Sequence, residues 1–232
     1  MEPGYRYFSI VCSMGLSLLL MVVFGMGGVG IVAPAHAENL THLQQVLRSE
    51  VCPNCDLSYA KLGRANLDYA YLTGAYLVGA NLRKAHLTQG HFDDTCAIGA
   101  DFGQAQGDRI DFNQADLSGA NFNHSRFQEA NFHGATLIKA QFLDADLAGA
   151  DFSKSDLRDS QLRQVDLSRG NLTQANLAFA SLVGADLSQA RLTGADLRST
   201  DLTGATLTGA DLTQANLCGA TWIDGTETRQ GC

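Results

Sequence analysis

Leucine recurs at every fifth position over much of the chain, and this spacing fits neither regular secondary structure. The segment 193–212, TGADLRSTDLTGATLTGADL, carries Leu197, Leu202, Leu207 and Leu212. On an α-helix, residues five apart are rotated by about 140°, so these leucines would spiral round the axis. On a straight strand, an odd spacing would send alternate leucines to opposite faces. A chain that runs extended for a few residues and then turns a corner, once per five residues, gives them a common interior.

Alanine and glycine complete the five-residue unit. Ala195 and Ala210 stand two positions before a leucine, and side chains two apart on an extended segment point to the same side. Glycine or a polar residue then occupies the corner, as at Gly184 and Gly194. No proline occurs beyond Pro53, which is consistent with backbone pairing throughout the repeated region.

The phenylalanines reveal a second period, of twenty. One series is Phe92, Phe112, Phe132 and Phe152, and another is Phe102, Phe122 and Phe142. Twenty is four fives, so we expect a four-sided coil that stacks each ring on its predecessor at the strand spacing of about 4.8 Å. Small residues replace leucine at Ala97 and Gly107. We interpret these as space filled by neighbouring phenylalanines, with a local bulge or loop as the alternative.

The repeated unit resembles that of the pentapeptide-repeat family, written A-(D/N)-L-x-x. Clear matches are Ala115-Asp116-Leu117, Ala145-Asp146-Leu147, Ala185-Asp186-Leu187 and Ala215-Asn216-Leu217. The resemblance covers residues 55–224 and implies an all-β solenoid, a right-handed quadrilateral parallel β-helix. The alanine column departs from the pattern at Ile110, Val165 and Gly170. Such a coil buries its interior only against neighbouring coils, so its ends need covers.

Both ends of the repeat carry a candidate cover. Residues 38–54 include a predicted short capping helix, with Thr41 and Gln44 as a capping box and a CxxC segment after it. We expect one apolar face, formed by Leu40, Leu43, Val46 and Leu47. After Trp222 the period ends, and residues 225–232 are predicted to form a C-terminal cap.

Residues 1–37 are predicted to be a signal peptide. An apolar stretch follows Arg6, and Ala35-His36-Ala37 ahead of Glu38 matches a signal-peptidase site. The stretch is long for a signal core, so an uncleaved membrane anchor is the alternative. The formal net charge of −8 argues against direct binding of nucleic acid or of an anionic membrane surface. We expect no stable membrane association once the signal is cleaved.

The cysteines are the first candidates for chemistry. Cys52 and Cys55 form a CxxC motif, for which a structural disulfide, a redox dithiol and part of a metal site are the alternatives, the first being favoured. Cys218 and Cys232 are predicted to pair and to fasten the tail to the last coil. Cys96 stands one place before an inward position, so we expect an exposed thiol, free or paired with another chain.

Asp146, Asp166 and Asp186 are spaced by twenty and predict an acidic stripe on one wall. Such a stripe suits a basic partner, whereas the structural alternative is that Asp and Asn bond the backbone beside each corner. No catalytic, cofactor or metal set is predicted, because the histidines do not share an outward position; they are His42, His86, His91, His124 and His133.

These observations predict an exported, non-enzymatic scaffold or protein-interaction module, with a homodimer as one option. The chain resembles exported cyanobacterial members of the family, which implies the thylakoid lumen or the periplasm. An alternative, also implied by the family resemblance, is a mimic of DNA that inhibits or protects a type II topoisomerase such as gyrase. A third option is a thiol oxidoreductase that uses Cys52 and Cys55.

Overall fold

A computed structural model of the protein describes residues 35–228 and residue 232. Within this part of the chain there is one helix, α1, at Ala35–Ser49. All but the last three residues of the predicted signal peptide lie outside the described residues. No helix in the described ranges combines the length and apolar character that a membrane span requires.

The repeated region forms a four-sided coil held by parallel backbone pairing. Every fifth residue from Val51 to Asp201 forms a β-bridge with the residue twenty positions later. We number the walls by these bridge residues: wall 1 carries 51, 71 and 91, wall 2 carries 56, 76 and 96, wall 3 carries 61, 81 and 101, and wall 4 carries 66, 86 and 106. The pairs are isolated bridges and not the extended strands of an ordinary all-β protein, because a corner follows each short extended step.

Two backbone hydrogen bonds recur at most corners of the coil. The Ala60 N–H donates to the Leu57 carbonyl at 3.0 Å, and the Tyr59 N–H donates to the Val78 carbonyl of the next coil at 2.8 Å. Tyr59, the third residue of this turn, has φ 59°, the left-handed value that a type II turn requires there. Glycine is suited to this value, as at Gly184 with φ 70°. The coil nevertheless imposes it on many larger residues.

The interior is filled by stacked rings and leucines. Phe102, Phe122 and Phe142 lie inside wall 3 with successive ring centroids 4.8 and 4.9 Å apart and with nearly parallel planes. On the opposite wall 1, the Phe92 and Phe112 rings are 5.5 Å apart and tilted by 59°. The predicted stacking is therefore present along the columns, except where the first ring of wall 1 tilts.

The two small residues in the leucine column leave the coil intact. The Ala97 N–H donates to the Asp116 carbonyl and the Gly107 N–H to the Arg126 carbonyl, each at 2.8 Å. A Cβ atom at Gly107 would collide with the ring of Phe127, which lies on the same wall one coil further. The ring of Phe127 therefore occupies the space that a leucine would fill at position 107, and no loop forms there.

Helix α1 packs on the first coil, but not in the predicted orientation. Val46 is fully buried and Leu43 packs against the core, whereas Leu40 and Leu47 are 60% and 53% exposed. The Asp56 N–H donates to His42 Nδ1 at 3.1 Å, and His42 lies one helical turn before Val46. These two contacts fix the rotation of the helix about its axis, so that Leu40 and Leu47 face solvent.

The predicted capping box is wrong. Helix α1 begins at Ala35, so Thr41 lies inside it and is not its N-cap. The local motif is overridden because the residues before Thr41 continue the helix.

The C-terminal tail covers part of the last coil. Thr221 and Glu227 form an antiparallel bridge, and the Thr228 N–H donates to the Ala220 carbonyl at 2.8 Å. Cys218 and Cys232 are joined by a disulfide. The tail thus returns along wall 3, while Leu207 on wall 4 and Leu212 on wall 1 remain only partly buried.

Exchange of volume between Gly107 and Phe127 is the first testable prediction. Gly107→Leu alone should lower the free energy of unfolding by about 1–3 kcal/mol, because it overpacks a filled interior. The double variant Gly107→Leu/Phe127→Leu should recover most of this loss. Urea unfolding measures both effects. Phe179→Leu, at a side chain 63% exposed, is the control and should change stability by less than about 0.5 kcal/mol. Additive effects of the two substitutions would contradict the compensation.

Removal of the terminal disulfide should loosen the last coil. The loop closed by Cys218 and Cys232 has a sequence separation of 14, and cross-linking a loop of this size stabilises a protein by about 3 kcal/mol. The double variant Cys218→Ser/Cys232→Ser should therefore show faster amide exchange in residues 216–222 and a lower unfolding temperature. Cys52→Ser/Cys55→Ser is the comparison, and its effect should be confined to the opposite end. Unchanged exchange at 216–222 would count against a fastening role.

Candidate functional site

The acidic stripe of wall 4 is continuous. Asp146, Asp166 and Asp186 follow one another through parallel bridges. One carboxylate oxygen of each accepts the backbone N–H two residues later; the donors are Ala148 at 3.3 Å, Ser168 at 2.9 Å and Ser188 at 2.8 Å. These aspartates therefore do what the structural interpretation predicts, since they bond the backbone beside a corner. They also place three carboxylates in successive coils of one wall.

Wall 2 also carries aspartates at its bridge positions, but in a different arrangement. Asp56 lies near the first coil, and Asp116, Asp156 and Asp196 are separated by Thr136 and Asn176. Arg158 and Arg198 lie 2.6 Å from the carboxylates of Asp156 and Asp196. The hydrogen bond from Arg198 holds the pKa of Asp196 below its ordinary value, while partial burial acts in the opposite direction. Wall 2 is thus interrupted and partly neutralised, whereas wall 4 is not interrupted.

Amide side chains separate the aspartates of wall 1. The Asn131 Nδ2 donates to Asp111 Oδ1 at 2.9 Å, and the Asn171 Nδ2 donates to Asp151 Oδ1 at 3.0 Å. Each pair lies twenty residues apart, in successive coils. The alternation of Asp and Asn lets neighbours bond where two carboxylates would repel.

A cluster that the sequence analysis missed lies at the beginning of this alternation. His91, Asp93 and Asp111 each offer a ligand atom, and these atoms lie within 4.8 Å of one another. Burial raises the pKa of the adjacent Asp94, and the charges of Asp93 and Asp111 raise it further. The spacing of twenty between His91 and Asp111 was the available signal. The absence of a common outward position for the histidines does not reveal this cluster, because its other two ligands are aspartates.

The CxxC cysteines lie between helix α1 and the first coil. Cys52 and Cys55 are joined by a disulfide, and Cys52 is fully buried in the core while Cys55 is nearly so. A redox-active cysteine needs access to its substrate and a stabilised thiolate. The burial of this pair therefore favours its structural interpretation.

The expected exposed thiol at Cys96 is not found. The side chain is 5% exposed, it is half of a disulfide, and the described residues include no free cysteine. Cys96 lies on wall 2 between Tyr76 and Asp116, whose longer side chains flank a short one. The prediction of an exposed free thiol is therefore wrong, because the position within the five-residue unit does not by itself determine the exposure of an outward side chain.

Comparison with solved structures finds similarity to several proteins. HetL, a pentapeptide repeat protein involved in heterocyst differentiation regulation in the cyanobacterium Nostoc sp. PCC 7120, is 31% identical over 77% of this chain and 87% of its own, with a TM-score of 0.35. A pentapeptide repeat protein of the Arabidopsis thaliana thylakoid lumen is 37% identical over 44% and 64%, with a TM-score of 0.29. QnrB1, a plasmid-mediated fluoroquinolone resistance protein, is 17% identical over 78% and 89%, with a TM-score of 0.38. No curated protein matched the chain.

The family model for pentapeptide repeats matches the chain in eight copies, and the matched segments lie at 54–89, 65–104, 108–142, 130–169, 140–177, 171–209 and 185–221. Together these segments cover well over half of the chain and most of the four-walled coil. They agree with the bridges between residues twenty apart and with the right-handed quadrilateral β-helix of this family. The chain belongs to the pentapeptide-repeat family.

Proposed function

We propose that the protein is an exported, non-enzymatic scaffold that binds another protein through the outside of its coil. The carrying observation is the contiguous column of Asp146, Asp166 and Asp186 on wall 4. Continuous backbone pairing holds these carboxylates in successive coils, so a partner meets a preformed acidic surface. A basic face on the partner would complement it.

The division of the repeat into an inside and an outside supports an interaction role. Leucine, phenylalanine and alanine fill the interior and are buried, so those positions are committed to packing. The outward positions carry the residues that differ from coil to coil. Pentapeptide repeats are generally structural or interaction modules, and binding by a rigid surface avoids the cost of ordering a loop.

Export to the thylakoid lumen or the periplasm is part of the proposal. A disulfide lies near each end of the coil, at Cys52–Cys55 and at Cys218–Cys232. Disulfides persist in oxidising compartments and are rare in the cytosol. The signal-like residues 1–37 and the lumenal origin of the Arabidopsis protein support the same compartment.

Affinity capture with matched charge variants tests the acidic surface. The full chain should recover a reproducible protein from a lumenal or periplasmic extract. Asp146→Asn/Asp166→Asn/Asp186→Asn should lose most of that capture, because it removes the contiguous stripe. The control Asp116→Asn/Asp156→Asn/Asp196→Asn removes the same charge from wall 2 and should retain the partner. Equal loss in both variants would show a general effect of charge, and failure of the native chain to capture any protein would contradict the scaffold.

Action on a topoisomerase is the second candidate, and the same acidic column is the observation that favours it. A stripe of regularly spaced negative charge has the character of a nucleic-acid backbone. The proposal of export separates the protein from cytoplasmic gyrase, so we expect the full chain to leave gyrase supercoiling unchanged. Inhibition or protection of supercoiling that Asp146→Asn/Asp166→Asn/Asp186→Asn abolishes would favour this candidate over the scaffold.

A further inference from the structure

We propose that wall 1 carries a binding site for a divalent transition-metal ion, formed by His91, Asp93 and Asp111. Their ligand atoms lie within 4.8 Å of one another, so small side-chain rotations would bring all three to ordinary bond lengths of about 2.0–2.2 Å from one ion. The residues come from two successive coils, because His91 and Asp111 form a parallel bridge. The backbone ladder therefore sets the distance between the nitrogen ligand and one of the carboxylates.

Neighbouring side chains already orient the two carboxylates. The Thr73 hydroxyl donates to Asp93 Oδ1 at 2.9 Å. Asp111 Oδ1 accepts the Asn113 N–H at 3.0 Å and the Asn131 Nδ2 at 2.9 Å. Within residues 35–228, no hydrogen bond reaches the second oxygen of either carboxylate. Partners of this kind hold metal ligands in position and contribute strongly to affinity.

The imidazole of His91 is exposed and is positioned by an aromatic neighbour. The Tyr71 and His91 rings are 5.5 Å apart, with their planes at 52°. The ring nitrogens of His91 make no hydrogen bond to another described residue. Two other histidines do: His42 Nδ1 accepts the Asp56 N–H, and His133 Nδ1 lies 2.8 Å from the Ser153 hydroxyl. His91 therefore offers nitrogen to a ligand at the solvent side of the wall.

The charge around the cluster favours a cation. Two of the three ligands are carboxylates, and Asp94 adds a third carboxylate beside Asp93. In the described part of the chain no Arg or Lys pairs with any of them, whereas an arginine lies within 2.6 Å of Asp108, of Asp156 and of Asp196. A divalent cation held between the carboxylates would offset this local excess of negative charge.

The donor set selects the class of metal. One imidazole nitrogen and two carboxylate oxygens, completed by water, suit Zn²⁺ or a similar first-row ion. Ca²⁺ prefers six to eight oxygen ligands, and Mg²⁺ keeps its waters in an octahedral shell. Because the ligands span two coils, a bound ion joins those coils and should stabilise the folded state.

Titration of the full chain with Zn²⁺ tests the site. Unpaired thiols are alkylated first so that sulfur does not contribute, and isothermal calorimetry follows the binding. We expect saturable binding near one ion per chain. The affinity for Zn²⁺ should fall at least about tenfold in His91→Ala, since even the loss of a residue that only supports a ligand has an effect of this size. His124→Ala is the matched control, because His124 is an exposed histidine that lies 3.5 Å from a carboxylate twenty residues later, that of Asp144. The affinity of the His124→Ala variant for Zn²⁺ should equal that of the native chain.

A second variant and a second readout guard against misfolding. Asp111→Asn keeps the shape of the side chain and an oxygen for the Asn113 N–H, and it should also weaken binding at least about tenfold. In NMR spectra, Mn²⁺ should broaden the proton resonances of the His91 imidazole at lower concentration than those of the His124 imidazole. Any of three results overturns the proposal: no saturable Zn²⁺ binding, equal weakening in His91→Ala and His124→Ala, or Ca²⁺ binding as tight as that of Zn²⁺.

Discussion

Parallel pairing between residues twenty apart is the constraint on which the rest of the molecule depends. Each inward side chain is buried only because a coil above and a coil below continue the same wall. A single backbone hydrogen bond contributes about 1 kcal/mol net, but the ladder repeats at every fifth residue from 51 to 201. The same pairing that closes the core therefore determines which outward side chains become neighbours.

The period of the sequence predicted the interior because the interior depends on residues that are equivalent in every coil. The phenylalanine columns and the space at Gly107 followed from spacings of five and twenty. The burial of Cys96 and the orientation of helix α1 could not be obtained in this way. They depend on the sizes and orientations of particular neighbours in adjacent coils. The left-handed corner at Tyr59 was also missed, since no single residue type marks it.

Aspartate alone is a poor guide to function in this fold. Its side chain bonds the backbone beside a corner on every wall, as at Asp101, Asp111, Asp156 and Asp186. What distinguishes the walls is the lateral neighbour. Arginine partners on wall 2 and amides on wall 1 temper the charge, while wall 4 carries its aspartates in sequence. The chemistry of the surface therefore depends on pairs of residues, which are two apart within a coil on wall 2 and twenty apart between coils on walls 1 and 4.

The coil consequently has two periods, one of five residues for its interior and one of twenty residues for its outer surface. All four walls present the same kind of interior, so a change in length of five residues would keep leucine and phenylalanine inside. It would also move every later residue to the next wall and separate the members of each outward column. Only gains or losses of twenty residues preserve both periods. The core thus tolerates changes in length that the surface does not, and a family with this architecture can retain its fold while its binding faces diverge.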